Sequence, residues 1–123
     1  MMVRNLLFTQ LGLLIILYFA QAEALRFYAA HPNELVFAPS HFLGGIWVAC
    51  AAATVYAHRG WSPSIVVWSG VALLFGVFWE VFEASTHLVN IYSTIYVPDT
   101  FSDLTIDLLG GFVGALFIKK FLV

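Results

Sequence analysis

Four long apolar stretches constrain what this chain can fold into. They cover about residues 5–22, 41–58, 64–84 and 100–118, and each has roughly the 20 residues that an α-helix needs to cross a bilayer. Of the 123 residues, 62% are hydrophobic and only 10% are charged, whereas soluble domains carry about 25% charged residues. The sequence therefore predicts an all-α protein, an integral membrane four-helix bundle in which residues 1–123 form a single transmembrane domain.

The first apolar stretch has two interpretations. Arg4 precedes an uncharged run over residues 6–20, which predicts a membrane-spanning helix. A basic start, an apolar segment and the alanine–glutamine–alanine triplet at residues 20–22 are also typical of a cleaved signal peptide. We expect the segment to be retained as a span, because a retained helix completes the four-span topology.

The basic residues predict how the bundle is oriented. With the N-terminus in the cytoplasm, Arg26 lies on the outer side and the other basic residues lie on the inner side: Arg4, Arg59, Lys119 and Lys120. The positive-inside rule favours this arrangement, so both termini are predicted to be cytoplasmic. Residues 85–98, which include two tyrosines, are predicted to form an interfacial loop on the outer side. The expected location is the plasma or inner membrane, as a multi-pass protein.

Ionisable residues cluster where the third predicted span ends and the fourth begins. They form two stripes at helical spacing: Glu80, Glu83 and His87 at i, i+3, i+7, and Asp99, Asp103 and Asp107 at i, i+4, i+8. Each stripe therefore lies on one helix face. His41 opens the second span, and the predicted topology places it in the same outer leaflet. A charged residue near the centre of a spanning helix costs about 2.5–3.5 kcal/mol on insertion scales, so these residues need partners.

The shortage of basic residues on the outer side limits what those partners can be. Only Arg26 and the histidines are predicted to lie nearby. Crowded carboxylates must then either retain protons or bind a cation. Carboxylate oxygens and an imidazole nitrogen suit zinc, manganese or iron, which makes a divalent metal ion the candidate cofactor. The predicted metal ligands are His41, Glu80, Glu83, Asp103 and Asp107.

Small residues predict where helices touch. Gly45, Ala49 and Ala53 follow the spacing i, i+4, i+8 in the second span, and Gly110 and Gly114 form a G-x-x-x-G pair in the fourth. Faces of this kind let helix backbones approach closely in lipid. The Gly110/Gly114 face is therefore a candidate contact between copies of the chain.

Three sequence patterns resemble those of known membrane families. They are His-Phe-Leu-Gly-Gly at 41–45, Trp-Glu-Val-Phe-Glu at 79–83 and Asp-Thr-x-x-Asp-Leu-x-x-Asp-x-x-Gly-Gly at 99–111. Over about residues 41–115 the chain resembles the small polytopic YjdF-like family and, more distantly, the VanZ-like family. The positions that carry the resemblance are His41, Glu80, Glu83, Asp99, Asp103 and Asp107. The resemblance implies a polytopic membrane protein without specifying a reaction, since the YjdF-like family has no settled activity and the VanZ-like name derives from glycopeptide resistance.

Three classes of function stay open for this outer-leaflet pocket. An enzyme would use Glu80, Asp107 and His41 as catalytic residues, through a bound metal or by proton transfer, on a lipid-linked substrate. A transport module would use the same carboxylates as a proton or cation site. A structural protein would use its acidic stripes to support a membrane partner. Among these classes the residues best support a pocket that binds a divalent cation or a lipid headgroup, and the net charge of −2 does not indicate a nucleic-acid partner.

Overall fold

Long α-helices make up most of the chain. The computed structural model describes residues 2–61 and 64–122, and within them four such helices and no strand are present. The helices are α1 (Met2–Ala30), α2 (Ala38–His58), α3 (Ile65–Ser85) and α4 (Tyr96–Phe117), with a 3₁₀ helix at Glu34–Phe37 and a π-helical turn at Ile118–Leu122. Each long helix has the length and apolar composition needed to cross a membrane, which confirms the predicted all-α class.

Three helices extend beyond the predicted spans at the end that carries the acidic residues, and α2 does so by beginning at Ala38 rather than at residue 41. α1 continues to Ala30, and its exposed last turns are supported by a 3.0 Å ion pair between Arg26 Nη1 and Glu23 Oε1, a spacing that stabilises helices. α4 begins at Tyr96 rather than near residue 100, so the loop before it is shorter than the predicted 85–98 segment. Pro98 fits within α4 because it lies in the first turn, where a missing backbone N–H breaks no intrahelical bond.

His87 lies outside the predicted stripe because α3 ends before it. α3 ends at Ser85, and His87 has a positive φ of 57°. The backbone N–H of Leu88 donates to the carbonyl oxygen of Glu83 at 3.0 Å. This is the Schellman pattern of a helix C-terminus, with His87 in the left-handed position that glycine usually occupies. His87 therefore does not share a helical face with Glu80 and Glu83, because the chain has already left the helix.

Close backbone contacts hold α4 against α2 and α3, while α1 packs mainly against α2. A Cβ atom added at Gly110 would overlap the carbonyl oxygen of Phe42, and one at Gly114 would lie 3.0 Å from Cα of Ile46. Small residues at these positions allow the two backbones to meet. The Gly110/Gly114 face therefore packs against α2 of the same chain, and a contact between copies stays a prediction.

The apolar core lies towards the end of the bundle opposite the acidic residues. It includes Ala49 and Ala53 of the predicted small-residue face, which are 0% and 2% exposed and confirm that this face is a helix contact. The largest fully buried side chains of this core belong to Leu6, Cys50, Trp68 and Ile118. The buried carboxylates of Glu80, Asp103 and Asp107 lie towards the other end.

Candidate functional site

Three helices bring ionisable side chains to one point inside the bundle. Short connections make successive helices antiparallel, so the start of α2, the end of α3 and the first half of α4 lie at the same end. There α2 contributes His41, α3 contributes Glu80, and α4 contributes Asp103 and Asp107. Glu80, Asp103 and Asp107 are 7%, 9% and 6% exposed. The convergence is therefore an interior feature and not a solvated surface patch.

The imidazole of His41 lies between two carboxylates of α4. Its Nδ1 is 3.2 Å from Oδ1 of Asp107, and its Nε2 is 3.5 Å from Oδ2 of Asp103. The first distance is that of a hydrogen bond, whereas the second is too long for a good one. In a neutral imidazole one nitrogen donates and the other accepts. A proton on Nδ1, donated to Asp107, leaves a free lone pair on Nε2, which lies 3.5 Å from Asp103.

His41, Glu80 and Asp103 have the geometry of a candidate metal centre. Each offers one ligand atom, and these atoms all lie within 4.8 Å of one another. Metal bonds of about 2.0–2.2 Å would separate neighbouring ligands of a tetrahedral ion by roughly 3.3–3.6 Å. The 3.5 Å between His41 Nε2 and Asp103 Oδ2 matches that separation. The 4.8 Å outer limit is longer, so a bound tetrahedral ion would draw the ligand atoms closer together.

Glu80 and Asp107 each carry a buried oxygen that lacks a partner. Thr100 Oγ1 donates a 2.8 Å hydrogen bond to Oε2 of Glu80. Within residues 2–61 and 64–122, Oε1 of Glu80 and Oδ2 of Asp107 receive no hydrogen bond, and no lysine or arginine forms an ion pair with either carboxylate. A buried carboxylate oxygen without a donor is costly, so these two atoms need a proton or a cation.

Two glycines shape the space around Asp107. A Cβ atom at Gly45 of α2 would overlap the carbonyl oxygen of Asp107, and one at Gly76 of α3 would overlap its Oδ2. Asp107 is therefore enclosed by α2 at its backbone and by α3 at its carboxylate. A residue larger than glycine at either position would have to displace it.

The remaining predicted site residues lie outside this cluster. Glu83 and Asp99 are half-buried, and neither belongs to the group of ligand atoms that the described residues bring within 4.8 Å. Asp99 instead lines an open groove of about 500 Å³ together with Glu34 and Tyr28, whose hydroxyl donates to Glu34 Oε1 at 2.9 Å. His87 is exposed on the loop after α3. Of the five predicted metal ligands, three (His41, Glu80 and Asp103) have ligand atoms within 4.8 Å of one another, Asp107 contacts His41, and Glu83 lies outside the group.

The structure also adds residues that the sequence did not single out. Thr100 holds Glu80, and Gly76 makes room for Asp107. Thr100 could have been found, because it stands at i−3 and i−7 from Asp103 and Asp107 and so shares their helix face. Gly76 gave no such signal, since its role depends on a side chain from another helix.

The fold and the cluster together define a class, an α-helical bundle of membrane-spanning dimensions with a polar site between three of its helices. No protein-family model matches the chain, and no curated protein or solved structure is significantly similar to it. The resemblance to the YjdF-like and VanZ-like families stays a prediction from the residues quoted above. What the site does must therefore follow from its geometry and chemistry.

Proposed function

We propose that this protein is a multi-pass membrane protein that binds a divalent cation between α2, α3 and α4, with His41, Glu80 and Asp103 as ligands. The observation that carries the proposal is the approach of their ligand atoms to within 4.8 Å of one another, combined with an unpartnered, buried oxygen on Glu80. A cation at this point would bind the free oxygen of Glu80 and offset most of the negative charge of the three buried carboxylates.

Charge balance supports a cation over an anionic ligand. Three carboxylates, those of Glu80, Asp103 and Asp107, are at least nine-tenths buried, and each would cost about 2.5–3.5 kcal/mol near the centre of a spanning helix. A bound divalent ion offsets that cost directly. A lipid headgroup phosphate would instead be repelled by the carboxylates, unless a cation already occupied the site.

The donor set indicates which ions fit. One imidazole nitrogen and two carboxylates are typical ligands for zinc, manganese and iron. Three protein ligands leave at least one coordination position open, which is the arrangement of catalytic rather than structural zinc sites. Water, or an oxygen of a lipid-linked substrate, could occupy that position.

The distribution of basic and apolar side chains supports the proposed orientation. Arg4 near the start of α1, Arg59 after α2 and Lys119 after α4 all lie at the end opposite the cluster. With that end in the cytoplasm, as the positive-inside rule favours, both termini are cytoplasmic and the cation site is on the outer side. Large apolar side chains such as Phe8 and Val66, which are 67% and 82% exposed, suit contact with lipid.

Metal titration of the purified full-length chain tests the proposal. After treatment with a chelator in detergent, the wild type is titrated with Zn²⁺ and Mn²⁺ by calorimetry, and bound metal is counted by elemental analysis. We expect one ion per chain. Glu80→Gln and Asp103→Asn should each weaken binding by more than about 10–100-fold, the typical cost of losing an outer-shell partner, because each removes a charged ligand.

Two further variants serve as controls. Glu23→Gln changes an exposed carboxylate that is paired with Arg26, and Glu83→Gln changes the predicted ligand that lies outside the cluster. Both should bind metal as the wild type does. A wild-type chain that binds neither ion stoichiometrically would overturn the proposal, as would Glu80→Gln and Asp103→Asn variants with wild-type affinity.

A further inference from the structure

We infer that Asp107 is not a metal ligand but the residue that orients His41 and fixes the position of its ring proton. This inference rests on the proposed cation site and assigns the fourth member of the cluster a separate role. It also changes the sequence-based interpretation, in which Asp107 is one of the ligands.

The two nitrogens of the His41 ring lie near different carboxylates of α4. Nδ1 forms a 3.2 Å hydrogen bond with Oδ1 of Asp107, while Nε2 lies 3.5 Å from Oδ2 of Asp103 without a hydrogen bond between them. A carboxylate accepts hydrogen bonds and does not donate them. Asp107 therefore favours the tautomer with a proton on Nδ1, which leaves Nε2 free to bind a metal next to Asp103.

Asp107 is enclosed by its neighbours in α2 and α3. It is 6% exposed, and its Oδ2 lies against Gly76, where a Cβ atom would overlap it. Its backbone carbonyl lies against Gly45 in the same way. A carboxylate enclosed by two helices can hold a neighbouring ring in one orientation.

A carboxylate bonded to one nitrogen of a histidine is a common arrangement at metal sites. Histidines that bind metals commonly donate their second ring N–H to a carboxylate, which fixes the tautomer and raises the basicity of the ligating nitrogen. Loss of such an outer carboxylate typically weakens metal binding 10–100-fold although every ligand is still present. In the same way, Asp107 would hold one nitrogen of His41 while the other nitrogen, Nε2, binds the metal.

The experiment measures the His41 tautomer and zinc affinity in the same full-length protein. Chains labelled with ¹⁵N-histidine are studied by two-bond ¹H–¹⁵N NMR in detergent, and His41→Gln identifies the His41 signal among the four histidines. We expect the wild type to carry the proton on Nδ1. Asp107→Asn should lose this pattern and bind Zn²⁺ about 10–100-fold more weakly. Asp103→Asn should keep the Nδ1–H pattern while losing zinc affinity.

A pair of glycine variants tests the same role without changing a polar group. Gly76→Ala places a methyl group where Oδ2 of Asp107 lies, whereas Gly70→Ala, also in α3, meets nothing within 4 Å. Gly76→Ala should disturb the His41 tautomer and weaken zinc binding, and Gly70→Ala should change neither.

The outcomes separate this inference from the proposed function. A wild-type His41 with its proton on Nε2, or an Asp107→Asn variant with unchanged tautomer and zinc affinity, would overturn the role of Asp107. A wild type that shows the Nδ1–H pattern, lost in Asp107→Asn, but binds no zinc would support the orienting contact and overturn the proposed cation site.

Discussion

Thr100 and Glu80 join α4 to α3 through a single hydrogen bond of 2.8 Å, in which the threonine hydroxyl donates to Oε2 of the carboxylate. The other oxygen of Glu80 has no partner among the residues the structure describes. Thr100 therefore holds the carboxylate in place and leaves one oxygen free to ligate. This division of the two oxygens leads to the first of four predictions.

Replacing Thr100 with valine should destabilise the metal-free protein. The change keeps the shape of the side chain but leaves both oxygens of Glu80 without a donor, and we expect a loss of about 0.5–2 kcal/mol in the free energy of unfolding. Thr105→Val is the matched control, because the Thr105 hydroxyl is exposed and bonds to Phe101 of its own helix. Denaturant unfolding in mixed micelles measures both variants, and equal stabilities would contradict the role given to Thr100.

Adjacent glycines in α2 should respond very differently to alanine. A Cβ atom at Gly45 would overlap the carbonyl oxygen of Asp107 and lie 2.9 Å from the backbone nitrogen of Gly111, whereas one at Gly44 meets nothing within 4 Å. Backbone atoms cannot rotate away, so Gly45→Ala should cost about 1–3 kcal/mol of stability. Gly44→Ala should be neutral or slightly stabilising because alanine favours helix. Thermal unfolding of the two variants, measured side by side, tests this prediction. A Gly45→Ala protein as stable as the wild type would argue against the α2–α4 contact.

His87 should behave as a turn residue and not as a ligand. Its φ of 57° is a conformation that glycine adopts freely and that costs an L-residue about 1–2 kcal/mol. His87→Gly should therefore be more stable than His87→Ala by about 1 kcal/mol, and both should keep wild-type metal affinity. Unfolding and zinc titration of this pair provide the measurement. Weaker zinc binding in both variants would instead indicate that His87 takes part in metal binding.

Cysteine labelling in intact cells tests the proposed orientation. The buried native Cys50 is first replaced by alanine. Thr94→Cys, on the exposed loop between α3 and α4, should react with an impermeant maleimide from outside the cell. His58→Cys, at the exposed end of α2, should react only after the membrane is opened, as the positive-inside rule requires. The reverse pattern would place the cation site on the cytoplasmic side.

Several features of this protein follow from its sequence because they depend on local properties. The length of each apolar stretch predicts the helices that the structure contains. The helical period predicts that Asp103 and Asp107 share a face of α4, and both are buried there. The spacing of Ala49 and Ala53 likewise predicts a buried contact face of α2. Each of these needs only the residues of one segment.

Helix ends were harder to predict from the sequence. The end of α3 at Ser85 depends on a left-handed residue, and histidine at that position does not give the signal that glycine would give. The continuation of α1 beyond residue 22 was not predicted, because charged residues follow there. An exposed helix tolerates such residues, and the Glu23–Arg26 ion pair stabilises it.

The composition of the site was decided by the tertiary structure. Which carboxylates converge depends on how far each helix is rotated and shifted along its neighbours, and that is set by backbone contacts at small residues such as Gly45 and Gly76. One turn separates Glu80, which joins His41, from Glu83, which does not. Sequence spacing places both on nearly the same face, so it can name the candidates, whereas only the packing of α2, α3 and α4 selects among them.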